Sequence, residues 1–435
     1  MPDLKTKTLL ALATATLTVL PTAAVAQDTL PVIAIPPVPT PRNVETDAGQ
    51  TGVIGIQIAD QIESDLRSSG DFMVIQRNTL KQYSPTEAGA PLYPNWTGTG
   101  ASNLVTGYVQ AREDGRLTIA CYLYDLKQRR EIARKGYVVD AKEWRRAAHR
   151  CADAFYERIT GTAGFFDSTV AYVAETGTRT SPVKRLAIMN WDATDHRYLT
   201  QGESTVLSPR LSPDGEHIAY VSFSGGAPHV RIRSIDGDDD RALLPPSTIS
   251  FAPRWSPDGR RILLSMAIDG NTDIYSVGLD GNYPQRLTST PGVDTAASFS
   301  PDGSRIVFES DRSGRQQIYV MNSNGSGQQR ISFGAAGYAS PVWSPSGDRI
   351  AFTRSGGGKL QIGVMRTDGG EEKLLTDGWQ DEVPVWAGGR TVLFQRTDPQ
   401  SLHAAIYSVP ITGGQPKRLT TPQPGSDPAW SGGSE

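Results

Sequence analysis

Little in this 435-residue chain offers reactive chemistry. It has two cysteines and five histidines, and its 43 Lys and Arg nearly balance its 46 Asp and Glu, for a formal net charge of −3. So even a balance supplies no general attraction for nucleic acid or anionic lipid, and no dense Lys/Arg run overrides it. The histidines (His149, His196, His217, His229 and His403) are dispersed, lack the HExxH or HxH spacing of a metal centre, and read as strand or surface residues. No Gly-x-Ser-x-Gly elbow occurs, which weakens a hydrolase reading. Beyond the first 26 residues no apolar run is long enough to cross a bilayer, so no direct membrane insertion is expected.

What the chain has in quantity is Gly (44) and Pro (30), which points to many short strands joined by tight turns. The first 26 residues read as a signal peptide: Lys5 and Lys7, an apolar run from Leu9 to Leu20, and small residues at Ala24-Val25-Ala26. Cleavage is expected after Ala26, with export to an oxidising compartment. There the two cysteines admit two readings. Leu117, Ile119, Cys121 and Leu123 alternate along a strand, and Trp144, Ala148, Cys151 and Phe155 recur at helical spacing, so both thiols face one buried layer. They form either a structural disulfide between helix and sheet or two packed free thiols.

A repeat decides the architecture. Ser212-Pro213-Asp214-Gly215, Ser256-Pro257-Asp258-Gly259 and Ser300-Pro301-Asp302-Gly303 recur every 44 residues, followed by Ser344-Pro345-Ser346-Gly347 and a degenerate Ala387-Gly388-Gly389. Each is a tight turn in which Pro presets φ, Asp bonds its own backbone and Gly takes the left-handed conformation. An apolar anchor precedes each turn (Leu211, Trp255, Phe299, Trp343, Trp386), and Trp430 continues the series. The spacing predicts six inner strands, with two further β-rich segments and a fourth strand per repeat ending at Thr200, Leu244, Thr288, Ser332, Thr376 and Thr420. Six repeats of four strands describe a six-bladed β-propeller from about Phe165 to Trp430. The first repeat, near Val170-Ala171-Tyr172, starts at its second strand, and the chain ends on an inner strand at Trp430. The C-terminal strand is therefore expected to complete blade 1 and close the ring.

Residues 28 to 162 have another texture. Pro31 to Ile35 reads as a strand; Ile54, Ile58, Ile62 and Leu66 form a helical stripe ending at Gly70. Strands follow at 72–75, 104–109, 117–124 and 132–139, then a helix over 142–160. Ser84 to Gly100 reads as a loop and Gly161 to Gly164 as a short hinge. The fold class is thus two-domain: a small N-terminal α/β domain followed by an all-β six-bladed β-propeller closed by the C-terminal strand. The expected boundaries are 1–26 signal peptide, 27–162 α/β domain and 163–435 propeller.

The Gly-rich patches at 225–226 and 356–358 read as hairpin loops, and the acidic run Asp236 to Asp240 as a solvated turn rather than a Ca²⁺ site. No metal, cofactor or catalytic residue is assigned. The segments leading into the inner strands are different. They vary from blade to blade on a constant frame, and they read as loops around one end of the central channel. Ile249, Phe251, Tyr338 and Trp379, with Arg210, Asp294, Asp381, Glu382 and Asp427, have the composition of a protein-binding face with aromatic anchors and a polar rim. Peptide hydrolysis or lyase activity and glycan binding are the alternatives a propeller leaves open.

Asp65-Leu66-Arg67-Ser68-Ser69-Gly70-Asp71-Phe72, Trp144 with Ile159-Thr160-Gly161 and Phe165, and Val170-Ala171-Tyr172-Val173, together with the repeat, resemble the TolB family of the Tol-Pal envelope system of Gram-negative bacteria. The resemblance spans nearly all of the chain after residue 26. It implies a non-enzymatic periplasmic adaptor, monomeric by itself, that acts in outer-membrane invagination during cell division and in envelope integrity. It further implies binding of the lipoprotein Pal over the funnel, where Ile249, Ser250, Ala252 and Thr295 match by motif position, and of TolA through the N-terminal segment. Here that segment is only Gln27-Asp28-Thr29-Leu30, shorter than the resemblance leads one to expect.

Overall fold

The computed structural model describes residues 30–178 and 180–432. From Pro31 onward the chain forms one compact unit. Its N-terminal part is a five-stranded sheet backed by two helices. The strands are β1 (Val32–Ala34), β2 (Met73–Val74), β3 (Asn103–Ala111), β4 (Leu117–Asp125) and β5 (Arg130–Val139), in the order β2-β1-β3-β4-β5. β1 runs parallel to β2 and β3, and β3, β4 and β5 form an antiparallel meander.

Helix α1 (Thr51–Ser69) buries Ile54, Ile58, Ile62 and Leu66 and ends at Gly70, whose φ of 80° gives the left-handed cap that the stripe and the glycine predict. Helix α2 (Trp144–Thr160) buries Trp144, Ala148, Cys151 and Phe155, and Gly161 caps it in the same way (φ 72°). Cys121 on β4 and Cys151 on α2 are joined in a disulfide with their Cα atoms 6.2 Å apart, the first of the two readings above.

The stretch Ser84 to Gly100 is more than a loop. It makes three short 3₁₀ turns that fold Trp96, 2% exposed, against Tyr83 on the second face of the sheet.

Six four-stranded antiparallel blades follow. Blades 2 to 6 have inner strands Val206–Leu211, Ser250–Trp255, Asp294–Phe299, Gly337–Trp343 and Asp381–Ala387. In blade 1 the inner strand is the C-terminal Gly425–Gly432, which pairs antiparallel with Ser168–Thr178 in the register Gly425↔Ala174 and Trp430↔Val170. The last strand therefore closes the ring, and no inner edge is left to pair with another chain.

The turn motif works by local bonding. In blade 3, Ser256 Oγ accepts the Arg261 N–H (2.9 Å), Asp258 accepts the Arg260 N–H (3.1 Å), and Gly259 sits at φ 68°. Trp255 and Trp386 tie each blade to the one before it, donating Nε1–H to Arg210 O (2.9 Å) and Val342 O (3.1 Å). The outer strands are only two or three residues long. Just past them Thr200, Thr288, Ser332 and Thr376 accept N–H groups of the third strand through their hydroxyls, which extends the pairing by one side-chain bond.

The α/β layer and the ring share one core. Ile58, Leu66, Ile119 and Phe155 belong to the same buried cluster as Tyr172, Met189, Leu393 and Ile406 of blades 1 and 6. Phe72, Tyr156, Phe165, Phe166 and Trp191 meet edge-on or tilted at 4.6–5.8 Å across the junction. Asp153 accepts the N–H groups of Phe166 (2.7 Å) and Asp167 (3.0 Å), and burial raises its carboxyl to about 6. A side chain at Gly164 would meet Asp153 at 2.3 Å, so the short hinge is a packed joint.

Candidate protein-binding face

The segments leading into the funnel are not loops. They are the first halves of the inner strands, and each strand carries a bulge. The register shifts between Leu207 and Arg210, Phe251 and Arg254, Thr295 and Ser298, Ala339 and Val342, Glu382 and Val385, and Ser426 and Ala429. At the bulges Ser208, Ala252, Ala296, Ser340, Val383 and Asp427 all have φ between 50° and 55°. A non-glycine residue in that region costs roughly 1 kcal/mol, and only a well-packed frame holds six of them in equivalent places. Proline follows in five of the six, at 209, 253, 341, 384 and 428. Proline normally argues against a central strand, which is why the sequence reads as loop here; the bulge removes the objection by leaving that residue out of the ladder.

The bulges also decide which predicted residues can meet a partner. Ser250, Asp294, Tyr338 and Asp381 occupy one register position, opposite Met266, Ser310, Arg354 and Arg396, and all four side chains point into the blades. Asp294 and Asp381 are fully buried. Asp294 pairs with Arg312 (2.7 Å), and Asp381 accepts two bonds from Arg396 (2.6 and 2.8 Å). Ser250 accepts the Val230 N–H (3.1 Å), and the Tyr338 hydroxyl donates to Glu372 (2.8 Å). These four brace the face from beneath. The next position differs from blade to blade: Phe251 and Glu382 are half-buried, whereas Thr295 is buried, at 8% exposure; Ala252 and Asp427, on the bulges, are half-buried.

Arg210 belongs elsewhere. It lies past the bulge, one residue from the turn end, and lines a 320 Å³ cavity with Arg254, Phe299 and Trp430. Burial lowers its guanidinium to about 10, against the opposing pull of Asp427.

Exposed apolar side chains stud the approaches to blades 3 to 6: Ile249 (39%), Val293 (44%), Phe333 (66%) and Trp379 (45%). Ile268 and Leu402 stand exposed in the hairpins between the second and third strands of blades 3 and 6. Phe333, Ile268 and Leu402 are absent from the sequence reading, and Val293 enters it only as the first residue of the segment 293–297, not as a contact. Their signal was an isolated large apolar residue among Gly, Asp, Ser and Thr, which a search for periodic patterns passes over. Leu30 is described and exposed, while Gln27, Asp28 and Thr29 lie outside the described residues.

One histidine corrects the sequence reading. His149 is buried within α2, its Nδ1 2.8 Å from Asp65 on α1 and its Nε2 3.4 Å from Asp192 of blade 1. Burial alone would lower its pKa; the nearby Asp192 carboxylate and the bond to Asp65 outweigh it and raise the imidazole to about 10. It is an ionic tie beneath the α/β layer. His229 is buried in a strand and His403 is exposed, as expected. The acidic run is not wholly a turn: Asp240 begins an outer strand and pairs with Arg231 (2.8 Å). Asp214, Glu216 and His217 come close together, but the Asp214 carboxylate is engaged by Ser212 and the Glu216 N–H as the turn requires.

The geometry is therefore a closed ring with one uneven, apolar-studded face. Residues 156–433 match the TolB beta propeller domain and residues 26–132 the TolB amino-terminal domain. The chain is 58% identical over 399 residues to the Tol-Pal system protein TolB of Zymomonas mobilis subsp. mobilis, covering 92% of this chain and 87% of that one. It is 56% identical over 401 residues to the Tol-Pal system protein TolB 1 of Novosphingobium aromaticivorans, covering 92% and 89%. The crystal structure of TolB from Acinetobacter baumannii superposes with a TM-score of 0.80 at 26% identity, over 93% of this chain and 97% of that one. With both family domains matched in order and more than half of the residues shared along nearly the whole length, this chain belongs to the TolB family.

Proposed function

We propose that the chain is a non-enzymatic periplasmic adaptor of the Tol-Pal system, exported with a signal peptide cleaved after Ala26. Its funnel face binds the lipoprotein Pal, and the segment Gln27 to Leu30 engages TolA, linking envelope layers during outer-membrane invagination. The mature chain then comprises the α/β domain, 27–162, and the propeller, 163–435. The observation that carries this reading is the contrast within each inner strand of a TolB-family ring. The turn end repeats from blade to blade, while the opposite end differs and exposes Ile249, Val293, Phe333 and Trp379. Apolar anchors on a rigid frame suit a protein partner. In support, no helix among the described residues is long and apolar enough to cross a membrane.

Binding of the mature protein to the periplasmic domain of Pal tests the reading. Ala252→Asp and Thr295→Asp each introduce a charge at the centre of the face and are expected to weaken binding by more than ~1 kcal/mol. Pal affinity unchanged in both variants overturns the assignment of the face.

A further inference from the structure

One buried acid on the funnel side has no cation among the described residues. Glu309, in the second strand of blade 4 (Arg305–Ser310), is 7% exposed. Its carboxylate accepts three bonds: from Thr295 Oγ1 (2.5 Å) in the inner strand of its own blade, from Gln316 Nε2 (3.3 Å), and from the N–H of Ser340 (2.6 Å), the bulge residue of blade 5. The charged side chains on the elements packed around it are Asp294, Asp311, Arg312 and Arg315. Asp294 and Arg312 are paired with each other, Asp311 accepts the Val293 N–H, and Arg315 is exposed.

The register shows that this is a built position. Val173, Val221, Ser265, Glu309, Thr353 and Gln395 face the equivalent inner-strand residue in the six blades. Gln395 makes the same reach as Glu309, accepting the N–H of the next bulge residue, Asp427, at 2.9 Å. The four shorter side chains make no such bond. Glu309 is the one carboxylate of the six, and it alone also holds a side chain of the face.

That bond has a polarity. A hydroxyl has one proton, and Thr295 gives it inward to the carboxylate, so what Thr295 turns outward is lone pairs. The Ser340 N–H is likewise consumed. We propose that Glu309 is the positioning residue of the funnel face between blades 4 and 5: it presents Thr295 as an acceptor, so that the bound protein must supply an N–H or O–H donor there. This rests on the reading of the face as the Pal site. Burial raises the Glu309 carboxyl above the usual range, with Thr295 and Ser340 opposing. On acidification it therefore protonates before an ordinary glutamate does. The protonated carboxyl competes to donate, Thr295 turns, and affinity falls.

Affinity for the Pal periplasmic domain is measured by calorimetry with the full mature protein from about pH 5 to pH 8. Glu309→Gln keeps an oxygen for the Ser340 N–H but offers Thr295 a donor. It is expected to weaken binding about tenfold at neutral pH and to remove the acid-side decline seen in the parent protein. Thr295→Val should weaken binding similarly, and Thr295→Ser should restore it; this pair carries the test if Glu309→Gln does not fold. Parent-like affinity and pH profile in Glu309→Gln, or parent-like affinity in Thr295→Val, overturns the inference while leaving the face assignment standing. Failure of the parent protein to bind Pal sinks both.

Discussion

The propeller is held by a few contacts repeated, whereas the α/β layer in front of it is held by contacts that occur once. In the ring three kinds of contact recur in register, the Ser-Pro-Asp-Gly bonds in blades 2 to 4, the Trp staples at Trp255 and Trp386, and the hydroxyl caps in blades 1, 3, 4 and 5, and the blades differ in which of them they carry. Blade 2, for example, has Leu244 where four other blades have a Thr or Ser cap. The layer relies on one disulfide, one aromatic cluster and one buried histidine with two carboxylates. The repeated design leaves the far end of each blade free to vary. The singular design fixes how the layer is seated: the aromatic cluster and the histidine reach blade 1 or the junction before it, and Lys417 of blade 6 donates to Arg67 O (3.3 Å) and Ser68 O (3.2 Å) of α1.

The largest effect should come from breaking the one non-repeated element of the ring, its closure. A chain ending at residue 424 exposes the edge of Ser168–Thr178 and opens the core beneath Ala171, Val173 and Ala429. We expect loss of a single cooperative melt by circular dichroism and a tendency to aggregate. A melt like that of the full chain would show that the strand is dispensable and that the comparison has no basis.

A smaller effect is expected in the layer. Replacing both Cys121 and Cys151 by Ala opens a cross-link between residues 30 apart in sequence and should cost about 3 kcal/mol in denaturant unfolding. Because the core is shared, blades 1 and 6 should lose hydrogen-exchange protection together with the layer, while blades 3 and 4 keep theirs. Equal loss in all blades would mean that the ring and the layer unfold as one.

The smallest effect sharpens the seat itself. His149→Gln is expected to cost about 2 kcal/mol at neutral pH, since the charged bond to Asp65 and the attraction of Asp192 are lost. The folded pKa of His149 lies above its unfolded value, so its contribution is fully present below about pH 6.5 and is lost as pH rises through about 10. The difference in melting temperature between parent and variant should therefore shrink on the alkaline side. A difference independent of pH would mean that the imidazole acts by packing alone.

Much of the fold was legible because its signals are local. A turn needs Pro, Asp and Gly in sequence, and a helix face needs apolar residues three and four apart; both survive without knowledge of neighbours. Ring closure was legible because two incomplete ends complement each other. The face was less so. Prolines 253, 341, 384 and 428 read as loop because the bulge that absorbs them exists only once the strand is paired. Asp294 and Asp381 read as rim and Tyr338 as an anchor because a charge or an aromatic ring in a variable segment resembles a contact, and only Arg312, Glu372 and Arg396 reveal them as struts. His149 read as ordinary because Asp65 and Asp192 are 84 and 43 residues away in sequence.

The sequence by itself determined the number of blades, the closure by the last strand, the helices of the layer and the shared burial of Cys121 and Cys151, since each follows from spacing along the chain. Tertiary structure decided that the two cysteines are bonded, that the layer and blades 1 and 6 share a core, and which side chains of the inner strands face outward. A bulge changes which way a residue points, and a bulge is a property of two paired strands rather than of either one alone.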